Sequence, residues 1–251
     1  MGTPTSATQP PHHPRHRRRV RIEELDWGDT PWGAISLRRR WDPVTERDVH
    51  EVKLGDDFLM SSQFTSGERE LARIGLAAVE GSSLTVLVGG LGLGYTAVTA
   101  LEDDRVSELT VVEALEMVIS WHERDLFPDT RGLAADPRVR LVRDDFFDLV
   151  RAARADRTYD AVLLDIDHAP DWLLREDHGD LYTDEGFARV AAMLADGGAF
   201  TLWSDEPPEA EVVRRMSGAF EHAEAHVVPF PNPLTGGESA NTVYLAVRPR
   251  R

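Results

Sequence analysis

The chain contains no cysteine and a single lysine, Lys53. Without thiols it has no disulfides, zinc thiolates or cysteine nucleophiles. With lysine confined to one position, nearly every candidate for a Schiff-base, P-loop or dehydrogenase lysine is gone. No stretch approaches the roughly 18 apolar residues that span a membrane. The basic start has no apolar segment after it, which argues against a secretory signal; the expectation is a cytoplasmic protein. Positive charge is also scarce. The net charge is −16. The first 22 residues contribute +5 through Arg15, Arg17, Arg18, Arg19 and Arg21 and hold no acid, so the rest carries −21. A body that acidic repels nucleic acid and favours cationic partners, so neither nucleic acid nor membrane is an expected partner.

What is present falls into three parts. Residues 1–22 are rich in Pro, His, Arg, Ser and Thr and poor in apolar residues, the composition of a disordered basic tail. Residues 23–64 hold short strand-like runs, AISLRRRW, VHEVKLG and DFLMSS, which predict a small N-terminal β-hairpin module. Thr65 and Glu68 in TSGE form a capping-box pattern, and Leu71, Ile74, Leu76 and Val79 give the helix that follows an apolar side. From there to residue 251 strands and helices alternate: LTVLVGG, YTAVTALE, ELTVVEA, LEMVISWHERDLF, VRLVRDD, FFDLVRAARA, YDAVLLDID, DEGFARVAAMLADGG, AFTLWSD and PEAEVVRRMSGAF. Such alternation predicts an α/β domain with a mostly parallel sheet covered on both faces. The closing runs AHVVPF and NTVYLAVRP have no helix between them and are expected to pair antiparallel.

Ligands in such sheets sit beyond the carboxyl ends of the strands. The first end carries the glycine loop Gly89-Gly90-Leu91-Gly92-Leu93-Gly94. The next ends carry Glu113, then Asp144 and Asp145, then Asp165 and Asp167, then Trp203-Ser204-Asp205. Gly92, Gly94 and Ala97 fit a dinucleotide fingerprint with Glu113 beyond it, but a pyrophosphate would meet Asp145, Asp165 and Asp167 and be repelled. S-adenosylmethionine, or its decarboxylated form, has no phosphate and carries a sulfonium cation. Glycines admit its nucleoside, Glu113 accepts both ribose hydroxyls and Asp145 accepts the adenine amine. Asp144 or Asp145 is alternatively a helix N-cap. Asp165 and Asp167 suit a cationic donor and an amine acceptor. His168, Trp172, Tyr182 and Trp203 are candidate walls of the substrate pocket. His168 and His178 lie among acids, but a solvated acidic loop is preferred there and no metal is expected.

LVGGLGLG, LTVVEALEMVI, DPRVRLVRDD, YDAVLLDID and LYTDEGFARVAAMLADGGAFTLWS, in that order and spacing, resemble the blocks of the spermidine synthase-like (polyamine aminopropyltransferase) branch of class I S-adenosylmethionine-dependent methyltransferase folds. The resemblance runs from about Glu24 to Arg248. It implies a Rossmann-like fold with a seven-stranded, mostly parallel sheet whose last strand is antiparallel. It also implies a β-rich front domain and a homodimer. Residue by residue, it puts the ribose acid at Glu113, the adenine acid at Asp145, the catalytic aspartate at Asp165 and a nucleoside-side glutamine at Gln63. Three features depart from that family, the first being its D-S-x-D-P signature, which here reads Asp165-Ile166-Asp167-His168-Ala169-Pro170. Its G-G-G-D-G-G loop places an aspartate where Gly92 stands, and its Tyr-His pair has no counterpart in ERELARIGLA.

The expected activity is transfer of an aminopropyl or methyl group from S-adenosylmethionine or its decarboxylated form to a small amine by in-line displacement. Asp165 would act as base and Asp167 would help neutralise the acceptor. The alternatives are methyl transfer to a non-polyamine small molecule and a non-catalytic nucleoside-binding relative.

Overall fold

A computed structural model of the chain describes residues 22–152, 158–166, 169 and 173–250. The tail expected over 1–22 lies outside them except for Ile22, which opens the first strand. The front of the chain is a four-stranded antiparallel sheet in sequence order, β1 (Ile22–Thr30), β2 (Gly33–Asp42), β3 (Arg47–Leu54) and β4 (Asp57–Ser61). The sequence pattern predicts three of these strands by their runs, whereas β1, IEELDWGDT, is acid-rich and lacks clean alternation. Its partner explains it. Glu24 stands opposite Arg38 and Glu23 opposite Arg39, with Arg39 donating to Glu23 at 2.6 Å. Opposite charges facing across a ladder stabilise the pairing.

Helix α1 (Ser66–Ala77) follows, with Thr65 at its N-cap position. The Thr65 side chain makes no capping bond, so the predicted capping box does not form. Glu68 instead joins the lining of the central cleft.

The remaining strands build one seven-stranded sheet: β5 (Leu84–Gly89), β6 (Val106–Glu113), β7 (Val139–Arg143), β8 (Tyr159–Leu164), β9 (Leu194–Ser204), β10 (Phe220–Asn232) and β11 (Gly237–Pro249). Their spatial order is β10-β11-β9-β8-β5-β6-β7. The β5–β6, β6–β7, β5–β8 and β8–β9 pairs are parallel, and β11 is antiparallel to both β9 and β10. The last strand therefore slots between β9 and β10 and alone runs against the rest. The connecting helices are α2 (Tyr95–Ala100), α3 (Glu116–Glu123), α4 (Phe146–Arg151), α5 (Asp184–Ala192) and α6 (Ala210–Ala219). The stretch LADGG, which the pattern extends as helix, opens β9 instead, and Gly197 turns there at φ +78°.

The central strands are continuously apolar because both faces of the sheet are covered. Val86 and Val88 face Leu71 and Leu76 of α1, Ala97 of α2 and Val118 and Trp121 of α3. Leu87 faces Phe146 of α4, Phe187 of α5 and Met216 of α6. Each Val, Leu, Phe or Met among them contributes about 1.5–3 kcal/mol when fully buried. Ile35, Leu37 and Val52 of the front sheet are fully buried in the first of these cores, so both sheets share it. A polar tie adds to this: Asp26 of β1 accepts from Trp121 Nε1 at 2.9 Å and from Arg124 at 2.8 Å. Burial raises the Asp26 pKa, but bonds from Trp121, the Trp27 amide and Arg124 outweigh it and hold the carboxyl below its ordinary value. Among the described residues, no helix is long and apolar enough to cross a membrane.

Candidate active site

From β5 the chain runs outward one way to β6 and β7, then returns to β8 and β9 on the other side. The crevice at such a reversal point opens above the carboxyl ends of the strands. The glycine loop leaves β5 there. Gly90, Gly92 and Gly94 have φ of +91°, +49° and +87°, values that favour glycine. At Gly90 the requirement is doubled, because a Cβ would lie 2.1 Å from the Asp165 carbonyl oxygen. The loop is fastened from behind. His122 of α3 bonds the Gly92 carbonyl through Nε2 at 2.9 Å, and the Thr130 hydroxyl donates to the Leu93 carbonyl at 3.0 Å. Burial pushes the His122 pKa down, against the pull of that carbonyl. The imidazole is therefore neutral, with its proton on Nε2, the atom that must donate.

Glu113 ends β6 beneath the loop. It is buried, and each oxygen takes a backbone amide: Leu115 N at 2.8 Å and Leu91 N at 3.1 Å. Burial pushes its pKa up, opposed by the amides of Leu115, Leu91, Gly92 and Ala114. Each oxygen keeps a further lone pair, enough for a vicinal diol. Asp145 caps α4, accepting from Phe147 N at 2.8 Å and Asp148 N at 3.3 Å, and it also lines the cleft. The N-cap and ligand readings are thus compatible.

At the other end Asp165 follows β8. The Thr96 hydroxyl sits 2.7 Å from Asp165 Oδ2 and 3.2 Å from the Glu68 carbonyl, fixing α2, α1 and the end of β8 together. Burial pushes the Asp165 pKa up, with the Thr96 bond opposing. Glu68 is raised by burial and then by the Asp165 charge. Asp205, after β9, lies on the same wall and accepts from Asn241 Nδ2 at 2.9 Å.

The cleft encloses about 350 Å³, within the range of small-molecule sites. Its lining includes Gly90, Gly92, Gly94, Glu113, Asp145, Asp165 and Trp203 of the expected residues. The Trp203 indole N–H is buried with no acceptor among the described residues. Four expected residues lie elsewhere. Gln63 is engaged by β2 of the front sheet, accepting from Arg40 at 2.7 Å and donating to Asp42 at 3.2 Å. Gly89 is a packing glycine, where a Cβ would fall 2.7 Å from the Phe146 ring. Asp144 accepts the Asp145 amide at 2.9 Å, outside the lining. Tyr182 is buried in the second core. Asp167, His168 and Trp172 lie outside the described residues.

His178 also lines the cleft, stacked on Phe147 with ring centroids 3.7 Å apart. Its acidic neighbours are held by arginines: Asp177 by Arg175 at 2.8 Å and Asp180 by Arg151 at 3.4 Å. Among the described residues, no group of three His, Asp or Glu is arranged to hold a metal. Glu68 is the site residue that sequence reasoning missed. Its place in the first turn of α1 mimics a cap, and the available signal was that an acid there also faces the strand ends. The lining carries five carboxylates, Glu68, Glu113, Asp145, Asp165 and Asp205, and no lysine or arginine among the described residues.

Comparison with known proteins adds to this geometry. The spermine/spermidine synthase domain model matches residues 68–237. A polyamine aminopropyltransferase of Corynebacterium efficiens is 33% identical over 127 residues, which are 49% of this chain and 23% of that protein. One of Aeropyrum pernix is 28% identical over 159 residues, 61% of this chain and 49% of that protein. The chain thus spans from 23% to 49% of the length of these curated relatives. A crystal structure of spermidine synthase in complex with the transition state analogue AdoDATO superposes with a TM-score of 0.71. It is 18% identical and covers 89% of this chain and 73% of that one.

Proposed function

The chain belongs to the spermine/spermidine synthase domain family, and from that premise we propose that it is an aminopropyltransferase using decarboxylated S-adenosylmethionine and a small amine. The observation that carries this reading is the charge of the cleft. Five carboxylates and no lysine or arginine among its described lining residues favour a cationic donor and a cationic acceptor. Intact S-adenosylmethionine would bring its own carboxylate and meet no lysine or arginine among the described lining residues. This weighs against methyl transfer, even though Gly92 stands where the family has an aspartate.

In this reading Glu113 holds the ribose hydroxyls, Asp145 the adenine amine, and the glycine loop passes beneath the nucleoside. The acceptor nitrogen attacks the aminopropyl carbon in line with sulfur. A C–N bond forms as the C–S bond breaks, and its electron pair stays on sulfur as a neutral thioether. The protein supplies alignment and an unprotonated amine, and Asp165 orients that amine. Asp167 is proposed to assist it. Residues 23–64 are proposed as a front module and 65–251 as the nucleoside-binding domain. We further propose a homodimer, measurable by sedimentation, with a monomer as the contrary result.

The test is incubation with decarboxylated or intact S-adenosylmethionine and a panel of diamines, followed by mass spectrometry. Diamines gaining one aminopropyl group are expected. Absence of binding to both donors and to their thioether products would overturn the proposal.

A further inference from the structure

The chain is rich in arginine, and several of its buried and half-buried acids are paired with one. Glu51 binds Arg38 and Arg40 at 2.7 and 2.6 Å, Asp103 binds Arg105 at 2.7 Å and Asp136 binds Arg138 at 2.9 Å. The far end of the cleft breaks this pattern. Among the described residues no salt bridge reaches Glu68 or Asp165, although both line the cleft from different elements and the Asp165 charge acts on Glu68. The Glu68 carboxylate is sunk in the cleft, where its own backbone amide donates to it and no salt bridge reaches it among the described residues. Two unpaired, desolvated carboxylates at close quarters are costly. They persist where a cation is to occupy the space between them.

We propose that Glu68 is a catalytic residue of the acceptor end: with Asp165 it binds the incoming ammonium and takes its proton, so that the amine enters the displacement neutral. The inference rests on the aminopropyltransferase reading above and deepens it. The balance is simple. R–NH3+ gives one proton to the carboxylate pair and becomes R–NH2. That nitrogen displaces the thioether and becomes a secondary ammonium, and the pair releases its proton to solvent. Groups facing Glu68 are Asp165 beyond β8, Asp205 beyond β9 and Arg69 on its own helix, with His178 on the same cleft wall. Burial and the Asp165 charge push Glu68 up, and burial pushes Asp165 up. Such a pair holds one proton more readily than an exposed carboxylate and gives up a second one late. A helix-borne glutamate here also supplies negative charge that the loop lacks at Gly92.

The experiment compares wild type with Glu68→Gln, measuring the pH profile of kcat/KM for putrescine with decarboxylated S-adenosylmethionine. Binding of the thioether product is followed by calorimetry. Glu68→Gln is expected to lower kcat/KM about 100-fold and to leave product binding unchanged. Its acid limb should move to lower pH, because Asp165 then titrates without a charged neighbour. Glu68→Asp should retain turnover with a displaced acid limb, which a merely structural residue would not give. Wild-type kcat/KM and acid limb in Glu68→Gln would overturn this inference alone. A wild-type chain that transfers nothing to any amine would overturn the functional reading as well.

Discussion

Asp165 sits where a carboxylate is expensive to ionise. Burial pushes its pKa up, and the Thr96 hydroxyl only partly opposes this. An unfolded aspartate ionises near pH 3.9, so over the interval above that value the folded chain holds the extra proton. Stability therefore falls as pH rises through the window between the unfolded and folded values. Asparagine keeps the acceptor for Thr96 and removes the charge. Asp165→Asn is expected to melt higher than wild type at pH 8, with the gap closing toward pH 4. Turnover should drop by about 100-fold or more. Melting curves that run parallel for the two proteins across this range would contradict the placement of an ionised, desolvated carboxylate at this position.

At the level of elements, the glycine loop and the end of β8 are mutually fitted. Gly90→Ala forces a Cβ to within 2.1 Å of the Asp165 carbonyl at φ +91°. Backbone cannot rotate away as a side-chain tip can, so a loss of at least about 2–3 kcal/mol is expected in chemical denaturation. A loss under about 1 kcal/mol would show that the two segments are not in contact. The buried, parallel central strands were legible in the sequence because β5, β6 and β8 are apolar on both faces, whereas their spatial order was not. The loop was legible because its glycines sit at a strand end. Other parts were not. β1 owes its extended form to arginines on β2, information held in a partner strand rather than in IEELDWGDT. LADGG carries helix-like composition, and only Gly197 and the pairing with β8 make it the start of β9. Glu68 occupied a capping position by spacing, while its side chain answers to the cleft. Gln63 fits a nucleoside-side position by resemblance, yet Arg40 and Asp42 claim both ends of its amide.

Across the whole molecule, the front sheet is bound to the α/β body by shared core and by the Asp26 tie to Trp121 and Arg124. Asp26→Ala would leave the Trp121 N–H buried without its acceptor, at a cost of about 1–3 kcal/mol. The expected outcome is a lowered melting temperature. Aminopropyl transfer should also decline, because Trp32, Phe58 and Met60 of the front chain wall the cleft. An unchanged melting temperature would mean that the tie carries no weight. The same coupling gives the solitary lysine a use. Lys53 lies on β3 with its ammonium 5.4 Å from the centre of the Phe58 ring, and Phe58 belongs to the cleft wall. An amine-reactive fluorophore has one side-chain target in this protein, at the rim of the site. Any cysteine introduced elsewhere would be the only thiol. The composition therefore makes the chain ready for two-colour labelling, with one dye reporting on occupancy of the cleft as ligands arrive.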